Sequence, residues 1–166
     1  MQLRQLTSKD APLMLEWMHD QSVIHHLGTN FMEKTLEDCN RFIKFAADSE
    51  TDLHLAIVND ADEYMGTVSL KHIDRQENTA EFAITVRACA MGHGYAQYGM
   101  SHILNYGLKQ LGLSAIYWCV SSKNARAVRF YDKCGYTKTL QVPNHILNCY
   151  SNELQTTLLW YVVPAV

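Results

Sequence analysis

The chain reads VRACAMGHGYA at residues 86–96, where the end of a predicted strand meets the start of a long predicted helix. The preceding residues 79–86 alternate in the manner of a strand, and apolar residues recur at helical spacing over 95–111. Gly92 and Gly94 lie between these elements, where a backbone without Cβ atoms can approach a ligand closely. Such a junction leaves backbone N–H groups free, and together with the helix dipole they favour an anion such as a pyrophosphate.

Two other phosphate-binding motifs are absent from this junction. The P-loop pattern G-x-x-x-x-G-K-[ST] does not occur, and a Rossmann pattern would need glycine at position 97, where the chain has Gln97. A lone G-x-G is equally compatible with an ordinary strand-to-helix turn. The pyrophosphate interpretation therefore depends on a second motif farther along the chain.

That second motif is NARAVRFYDKCGY, residues 124–136. Together the two stretches resemble the GNAT N-acetyltransferases, which carry [RQ]-x-x-G-x-[GA] and later N-x-x-A-x-x-F-Y-x-x-x-G-[FY]. The first pattern corresponds to Cys89-Ala-Met-Gly92-His-Gly94, and the second to Asn124, Ala127, Phe130, Tyr131, Gly135 and Tyr136. The resemblance covers essentially the whole chain, is strongest over 64–136, and indicates the branch that contains ribosomal-protein, polyamine and amino-sugar N-acetyltransferases.

The rest of the chain fits one α/β domain over residues 1–166, without a linker or a repeat. The predicted order is β-α-α-β-β-β-α-β-α-β-β, a mixed and mostly antiparallel central sheet flanked by helices. Strands are predicted at 2–6, 53–59, 64–73, 79–86, 115–120, 136–142 and 155–163, and residues 21–34 as a loop. Gly107 shares a helix face with Met100, Ile103 and Leu111, which predicts close packing of that helix on the sheet.

The resemblance implies acetyl-CoA as the co-substrate and a role for each matching position. Backbone groups of Ile84, Thr85 and Val86 would bind the pantetheine arm, where their strand splays from the next strand of the sheet. Asn124 would contact the pantetheine side of the cofactor. The pyrophosphate would be held by the backbone amides of Met91, Gly92, His93, Gly94, Tyr95, Ala96 and Gln97. Cys89 replaces the usual Arg or Gln, so we expect cofactor binding to be weakened or rearranged, because most phosphate contacts come from backbone amides.

The reaction that this resemblance implies needs a proton donor for the leaving thiolate and a base for the amine. Tyr131 is the implied donor. Glu81 is the preferred base, since it shares a strand face with Ala83 and Thr85 that would open onto the acceptor. Weaker candidates are His72 on the neighbouring strand and the adjacent His25 and His26 in the first loop. A covalent mechanism through Cys89 lacks an accompanying His and Asp pair.

Composition narrows the classes of partner. The net charge of -3 gives no general attraction to nucleic acid or to a membrane surface. The five cysteines are odd in number and lack CxxC spacing, which argues against a disulfide framework and a metal site. The N-terminus lacks the apolar region of a secretion signal, so we expect a cytoplasmic protein. A homodimer is compatible with the family resemblance.

Three functions stay open from the sequence. The first is an N-acetyltransferase that acts on a small amine, an amino sugar or a peptide N-terminus, with segments 20–34 and 142–154 at the acceptor. The second is a non-catalytic CoA-binding regulatory module of the same fold, and the third is a nucleotide-binding protein unrelated to CoA. The cations Lys123, Arg126 and Arg129 would lie either near the 3′-phosphate or on a solvated helix face.

Overall fold

The computed structural model describes residues 1–166, and its seven strands form a single sheet. The strands are β1 (Gln2–Gln5), β2 (Leu53–Val58), β3 (Tyr64–Asp74), β4 (Thr79–Val86), β5 (Ala115–Ser121), β6 (Thr137–Thr139) and β7 (Leu158–Pro164). The helices are α1 (Ala11–Met18), α2 (Gln21–Ile24), α3 (Leu36–Asp48), α4 (Tyr95–Lys109), α5 (Ala125–Lys133), α6 (Asn144–Leu147) and α7 (Asn152–Gln155). Short 3-10 turns precede α1, α3 and α4.

The sheet has the order β1-β2-β3-β4-β5-β7-β6, and β4 and β5 are its one parallel pair. These two strands pair only over Thr79–Glu81 and Ala115–Tyr117. Beyond this point β4 pairs only with β3, and β5 only with β7. The sheet therefore splits in its middle, with one free edge on each strand; we call this opening the split.

Each face of the sheet carries its own hydrophobic core, because successive side chains of a strand point to opposite faces. On the α4 face, Phe82 and Trp118 pack with Met100 and Ile103 of α4 and with Tyr131 of α5. On the α3 face, the cluster is formed by residues of α1, α3, β2 and β3, namely Met14, Trp17, Cys39, Ile43, Ala56, Val58 and Tyr64. The split connects the two faces.

Close approach of α4 to the sheet is confirmed. A Cβ atom on Gly107 would lie 2.7 Å from Ile116 Cδ1 and 2.9 Å from Leu70 Cδ1. The side chains of the strands occupy the space that a larger residue would need, so glycine allows the helix to lie directly on β3 and β5.

The predicted α/β order is confirmed, and the differences lie in the connections. The strand predicted over 136–142 is limited to Thr137–Thr139, and the last strand runs over Leu158–Pro164. Helices α2, α6 and α7 fall in segments read as loops, since four residues are too few to establish a helical period. None of the helices has the length and apolar character needed to cross a membrane.

Candidate functional site

The free edge of β4 presents two backbone positions to the split. The Arg87 N–H donates to the Met65 carbonyl of β3 at 2.9 Å, which fixes the phase of the β3–β4 ladder. In an antiparallel pair, the backbone N–H and C=O groups of successive residues point alternately toward and away from the partner strand. The backbone groups of Thr85 therefore bond to Thr67 of β3, whereas those of Ile84 and Val86 face the split. Of the three residues predicted to bind the pantetheine arm through their backbone, only Ile84 and Val86 have backbone groups that face the split.

The loop before α4 has the conformation of an anion cradle. Gly92 and Gly94 adopt left-handed φ values of +80° and +85°, and no atom lies within 4 Å of a Cβ built on Gly92. Met91 and His93 use their N–H groups in turns, donating to the Ala88 and Ala90 carbonyls at 3.2 and 3.3 Å. Backbone N–H groups without an acceptor in the chain belong to Gly92, Gly94, Tyr95, Ala96 and Gln97. Of the seven backbone amides predicted to hold the pyrophosphate, these five are free to donate to a ligand. The side chain of His93 is exposed.

The second motif meets this loop from the other side of the split. Asn124 caps α5, since its Oδ1 accepts the Ala127 N–H at 3.1 Å. That bond leaves the Asn124 amide nitrogen available as a donor. Arg126, the second residue of α5, donates from Nη1 to Met91 Sδ at 3.0 Å. The helix thus brings a cation to the loop that lacks one at Cys89.

Cys89 itself is exposed in the 3-10 turn over 88–90. The nearby Arg87 does not replace the missing cation, because it is committed elsewhere. Its guanidinium donates to Glu16 at 2.9 Å and to Glu63 at 2.8 Å, on the side of α1. The hydrogen bonds to these carboxylates raise the pKa of Arg87, which holds it as a fixed structural cation.

Tyr131 lies on the α4 face beside the split. Its ring is 7% exposed and packs against Trp118 and Tyr161, with centroid distances of 5.5 and 5.1 Å. Burial raises the pKa of the Tyr131 phenol, so the side chain keeps its proton at neutral pH. Trp118, the first β5 residue beyond the parallel pairing, has a buried Nε1 without a hydrogen-bond partner.

Glu81 lies at the vertex of the split, paired with Tyr117 in the last parallel register. It is 1% exposed, on the α3 face. Tyr150 from the α6–α7 segment donates a hydrogen bond to Oε1, and Lys71 Nζ lies 3.4 Å from Oε2. Oε2 has no hydrogen-bond partner in the chain. Sequence reasoning missed Tyr150, because a contact across 69 residues has no local signal. It also missed Lys71, whose position opposite Glu81 depends on the register of β3 and β4.

The histidine candidates separate into two groups. His72 Nε2 lies 3.6 Å from Glu81 Oε2 because a β-bulge with a left-handed His72, φ 51°, turns this side chain onto the α3 face. His25 and His26 instead contact each other with tilted rings, at a centroid distance of 3.9 Å, and His25 Nδ1 lies 3.0 Å from the Gln21 carbonyl. The structure therefore brings His72, but neither histidine of the first loop, to Glu81.

A cleft of about 640 Å³ opens on the α3 face; we call it the α3 cleft. Its floor is made by β2, β3 and the 83–85 segment of β4, and its walls by α1, α3 and residues Phe31 and Lys34. Lys71 lines the cleft and also contacts Glu81. The cleft thus reaches the 83–85 segment beside the free edge of β4, and Lys71 connects it to the buried carboxylate at the vertex.

The arrangement places an anion cradle and a phenol on one face of the sheet, and a ligand-sized cleft with a buried carboxylate on the other. An extended ligand lying along the free edge of β4 would satisfy the Ile84 and Val86 backbone groups. Its end would then reach both Tyr131 and the α3 cleft. This geometry suits group transfer between two substrates that enter from opposite faces.

Comparison with known proteins agrees with this geometry. Residues 1–137 match the family model described as Acetyltransferase (GNAT) domain. Spermidine N(1)-acetyltransferase of Vibrio cholerae is 32% identical over 83 residues, which are 49% of this chain and 48% of that protein. The match thus spans about half the length of this relative. An uncharacterised N-acetyltransferase of Bacillus subtilis is 26% identical over 82% of this chain and 78% of its own length.

Solved structures extend the likeness over the whole chain. The spermidine N-acetyltransferase from Vibrio cholerae in complex with CoA and spermine has a TM-score of 0.79, at 17% identity over 99% of this chain and 95% of that chain. A chimeric form of that enzyme has a TM-score of 0.77 at 18% identity. These likenesses confirm the predicted fold.

Proposed function

The chain belongs to the GNAT family of acetyl-CoA-dependent N-acetyltransferases, and on that premise we propose that it moves the acetyl group of acetyl-CoA directly to a primary amine. Acetyl-CoA supplies an activated thioester and carries the pyrophosphate that the loop would hold. The amine nitrogen attacks the thioester carbon, the C–N bond forms and the C–S bond breaks. One proton passes from the nitrogen to the leaving sulfur, so the products are the N-acetyl amine and CoA with a free thiol.

The residues at the split fit such a donor. Five backbone N–H groups at the start of α4 lack an acceptor in the chain, and the surroundings of Gly92 leave room for a phosphate. Asn124 and the backbone of Ile84 and Val86 would hold the pantetheine arm. Arg126, which contacts the loop at Met91, would add the charge that Cys89 does not supply.

Tyr131 would donate the proton to the leaving sulfur. Burial keeps the phenol protonated, and its position beside the split places it next to the free edge of β4. A thiolate leaves more easily when a proton reaches it in the transition state, and a positioned acid typically contributes about 10²–10⁴-fold. The proton that the attacking nitrogen loses then returns to Tyr131 through solvent, so that in total one proton moves from the nitrogen to the sulfur.

Glu81 would accept one proton of the incoming ammonium and then release it to solvent, so that the neutral amine attacks. An alkyl ammonium of pKa about 10.4 is mostly protonated at pH 7, and deprotonation costs roughly 4–5 kcal/mol. The free Oε2 of Glu81 faces Lys71 and His72, and Lys71 lines the α3 cleft. A water between Oε2 and the cleft would relay the proton.

The observation that carries this proposal is the split itself, with free N–H groups on one side of it and the α3 cleft on the other. The experiment is calorimetric titration of the purified protein with acetyl-CoA, followed by competition with CoA and with ATP. We expect one saturable site that CoA competes for and ATP does not.

Other outcomes favour the alternative functions. Binding of ATP without competition by CoA would support a nucleotide-binding protein unrelated to CoA. Saturable acetyl-CoA binding without transfer to any amine would support the non-catalytic regulatory module. The relatives named for spermidine make a polyamine the first acceptor to test, and the α3 cleft bears directly on that choice.

A further inference from the structure

The charge of the α3 cleft is unsuited to a polycation. Three cationic side chains line it, Lys34, Arg41 and Lys71, against one carboxylate, Asp38. Asp38 is already used, because it accepts the Thr35 N–H at 2.9 Å and an Arg41 bond at 3.1 Å. No uncommitted carboxylate therefore lines the walls for the additional ammonium groups of a polyamine.

Of the three cations, Lys34 has no carboxylate partner. Lys71 contacts Glu81, and Arg41 contacts both Asp38 and Glu37. Lys34 is half-buried at the start of the α3 wall and forms no ion pair within the chain. It is thus the lining cation that is free to receive an anionic group of a ligand.

The remaining lining is aromatic and apolar. Trp17 and Phe31 meet edge to face at 5.1 Å, and Phe42 packs on His54 at 4.8 Å. Phe45 is 50% exposed, although it lines the same cleft. Exposed aromatic surface in a concave site favours an apolar or aromatic body on the ligand.

The floor of the cleft also contains one buried histidine. His54 is 6% exposed, and its Nδ1 lies 2.7 Å from Ser69 Oγ. Its Nε2 is buried without a hydrogen bond, 3.5 Å from Asp52 Oδ2. Burial lowers the pKa of His54, so the ring is neutral and leaves the balance of charge in the cleft unchanged. Because the Asp52 carboxylate faces this nitrogen, His54 contributes a neutral polar surface to the floor of the cleft.

We propose that the acceptor is an amine that carries an apolar or aromatic group together with a carboxylate, the class of hydrophobic amino acids, and that a polyamine is not the preferred substrate. The carboxylate is received by Lys34, the apolar group lies against Phe42 and Phe45, and the amine faces the 83–85 segment. This assignment rests on the proposed acetyl transfer, since the α3 cleft is the acceptor site only if the split holds acetyl-CoA.

The test compares three acceptors with the full-length protein and acetyl-CoA, with release of the CoA thiol as the readout. Phenylalanine carries both features, phenethylamine lacks the carboxylate, and spermidine carries several ammonium groups. We expect kcat/KM for phenylalanine to exceed that for each of the other two by about tenfold or more. A preference for spermidine, or equal rates for phenylalanine and phenethylamine, would overturn the assignment.

The same samples are titrated with acetyl-CoA by calorimetry, which separates two kinds of failure. Saturable acetyl-CoA binding without turnover of phenylalanine contradicts the acceptor class and leaves the donor site standing. Absence of acetyl-CoA binding contradicts the proposed function itself, and the acceptor assignment falls with it.

Two charge-reversal variants test whether recognition of the carboxylate takes place in the α3 cleft. Lys34→Glu should raise KM for phenylalanine by about tenfold and leave the acetyl-CoA affinity unchanged. Lys44→Glu changes the same charge on an exposed α3 position outside the cleft, so it should leave KM within about twofold. Equal effects of the two variants would mean that only the overall charge of the protein matters, and would overturn the role of Lys34.

Discussion

Tyr131 is the residue whose role can be separated most cleanly from its packing. Tyr131→Phe keeps the ring between Trp118 and Tyr161 and removes only the hydroxyl. We expect kcat to fall by about a hundredfold or more, with little change in acetyl-CoA affinity, because the lost group acts on the leaving sulfur. Steady-state kinetics and calorimetry measure the two quantities. Tyr136→Phe, on the other side of Trp118, is the control and should retain its rate.

Glu81 and Tyr150 form a second pair that substitution can resolve. Glu81→Gln should lower kcat/KM by about a hundredfold and flatten the acid limb of the pH–rate profile, because an amide cannot act as a base. Tyr150→Phe removes one hydrogen bond to the carboxylate and keeps the ring against Trp160, so we expect about a tenfold loss. Tyr106→Phe, exposed on α4, is the neutral control. An acid limb retained in Glu81→Gln would contradict the base role.

Single residues also mark where sequence reasoning ends. Glu81 was predicted from strand alternation, which depends only on its neighbours along the chain. Tyr150 was not, because it reaches Glu81 through a segment whose two four-residue helices have no detectable period. His72 was placed on the adjacent strand, but its direction depends on a bulge that strand alternation does not anticipate.

Strand β4 needs glycine in its partner strand to keep its free edge in place. A Cβ atom on Gly66 would lie 2.5 Å from the Thr85 carbonyl oxygen and 2.9 Å from Val86 Cα, and backbone atoms cannot rotate aside. We expect Gly66→Ala to lower the free energy of unfolding by about 1–3 kcal/mol and to weaken acetyl-CoA binding. Urea unfolding and calorimetry measure these effects. Gly28→Ala, with nothing within 4 Å, should change neither.

Helix α4 offers a matched pair of left-handed glycines at its two ends. Gly94→Val and Gly112→Val both place a branched residue at positive φ, +85° and +70°, at a cost of roughly 1–2 kcal/mol each. Only Gly94 lies among the free N–H groups of the cradle. The Kd for acetyl-CoA should therefore rise strongly in the Gly94 variant and little in the Gly112 variant. Similar Kd values in the two variants would mean that the loop does not hold the phosphates.

Among the elements, the glycine motif and the N-x-x-A motif were the basis for predicting the family. The structure explains why the two motifs occur where they do along the chain. The first motif ends β4 and begins α4, and the second begins α5, so both reach the same end of the split. The Arg126–Met91 contact could not be predicted, since the motifs state which residues occur and not how two loops meet. The sequence also could not show which five backbone N–H groups are free to bind a phosphate, because that depends on the turns in which the Ala88 and Ala90 carbonyls accept hydrogen bonds.

Across the whole molecule, the two halves of the sheet, β1 to β4 and β5 to β7, are joined by the short parallel pairing and by helices laid over it. The order of the elements predicted the mixed sheet, and the family resemblance implied that β4 splays from β5; the structure shows that the two strands separate after three registers. A separation of this kind depends on which backbone groups lack partners, and side-chain patterns carry no information about it. An acetyl-CoA molecule in the split would join β4 to β5 through its own polar groups, so binding should stabilise the entire fold.

Amide hydrogen exchange tests this consequence residue by residue. At acetyl-CoA concentrations about 100 times the Kd, linkage predicts an increase of about 2.7 kcal/mol in the free energy of unfolding, which slows all globally exchanging amides together. Ile84 and Val86 should gain additional protection, because their N–H groups face the split. Ala83 and Thr85 already pair with β3 and should show only the global change. Uniform protection of all four amides by NMR would place the cofactor outside the split, whereas alternating protection would identify the free edge of β4 as its binding surface.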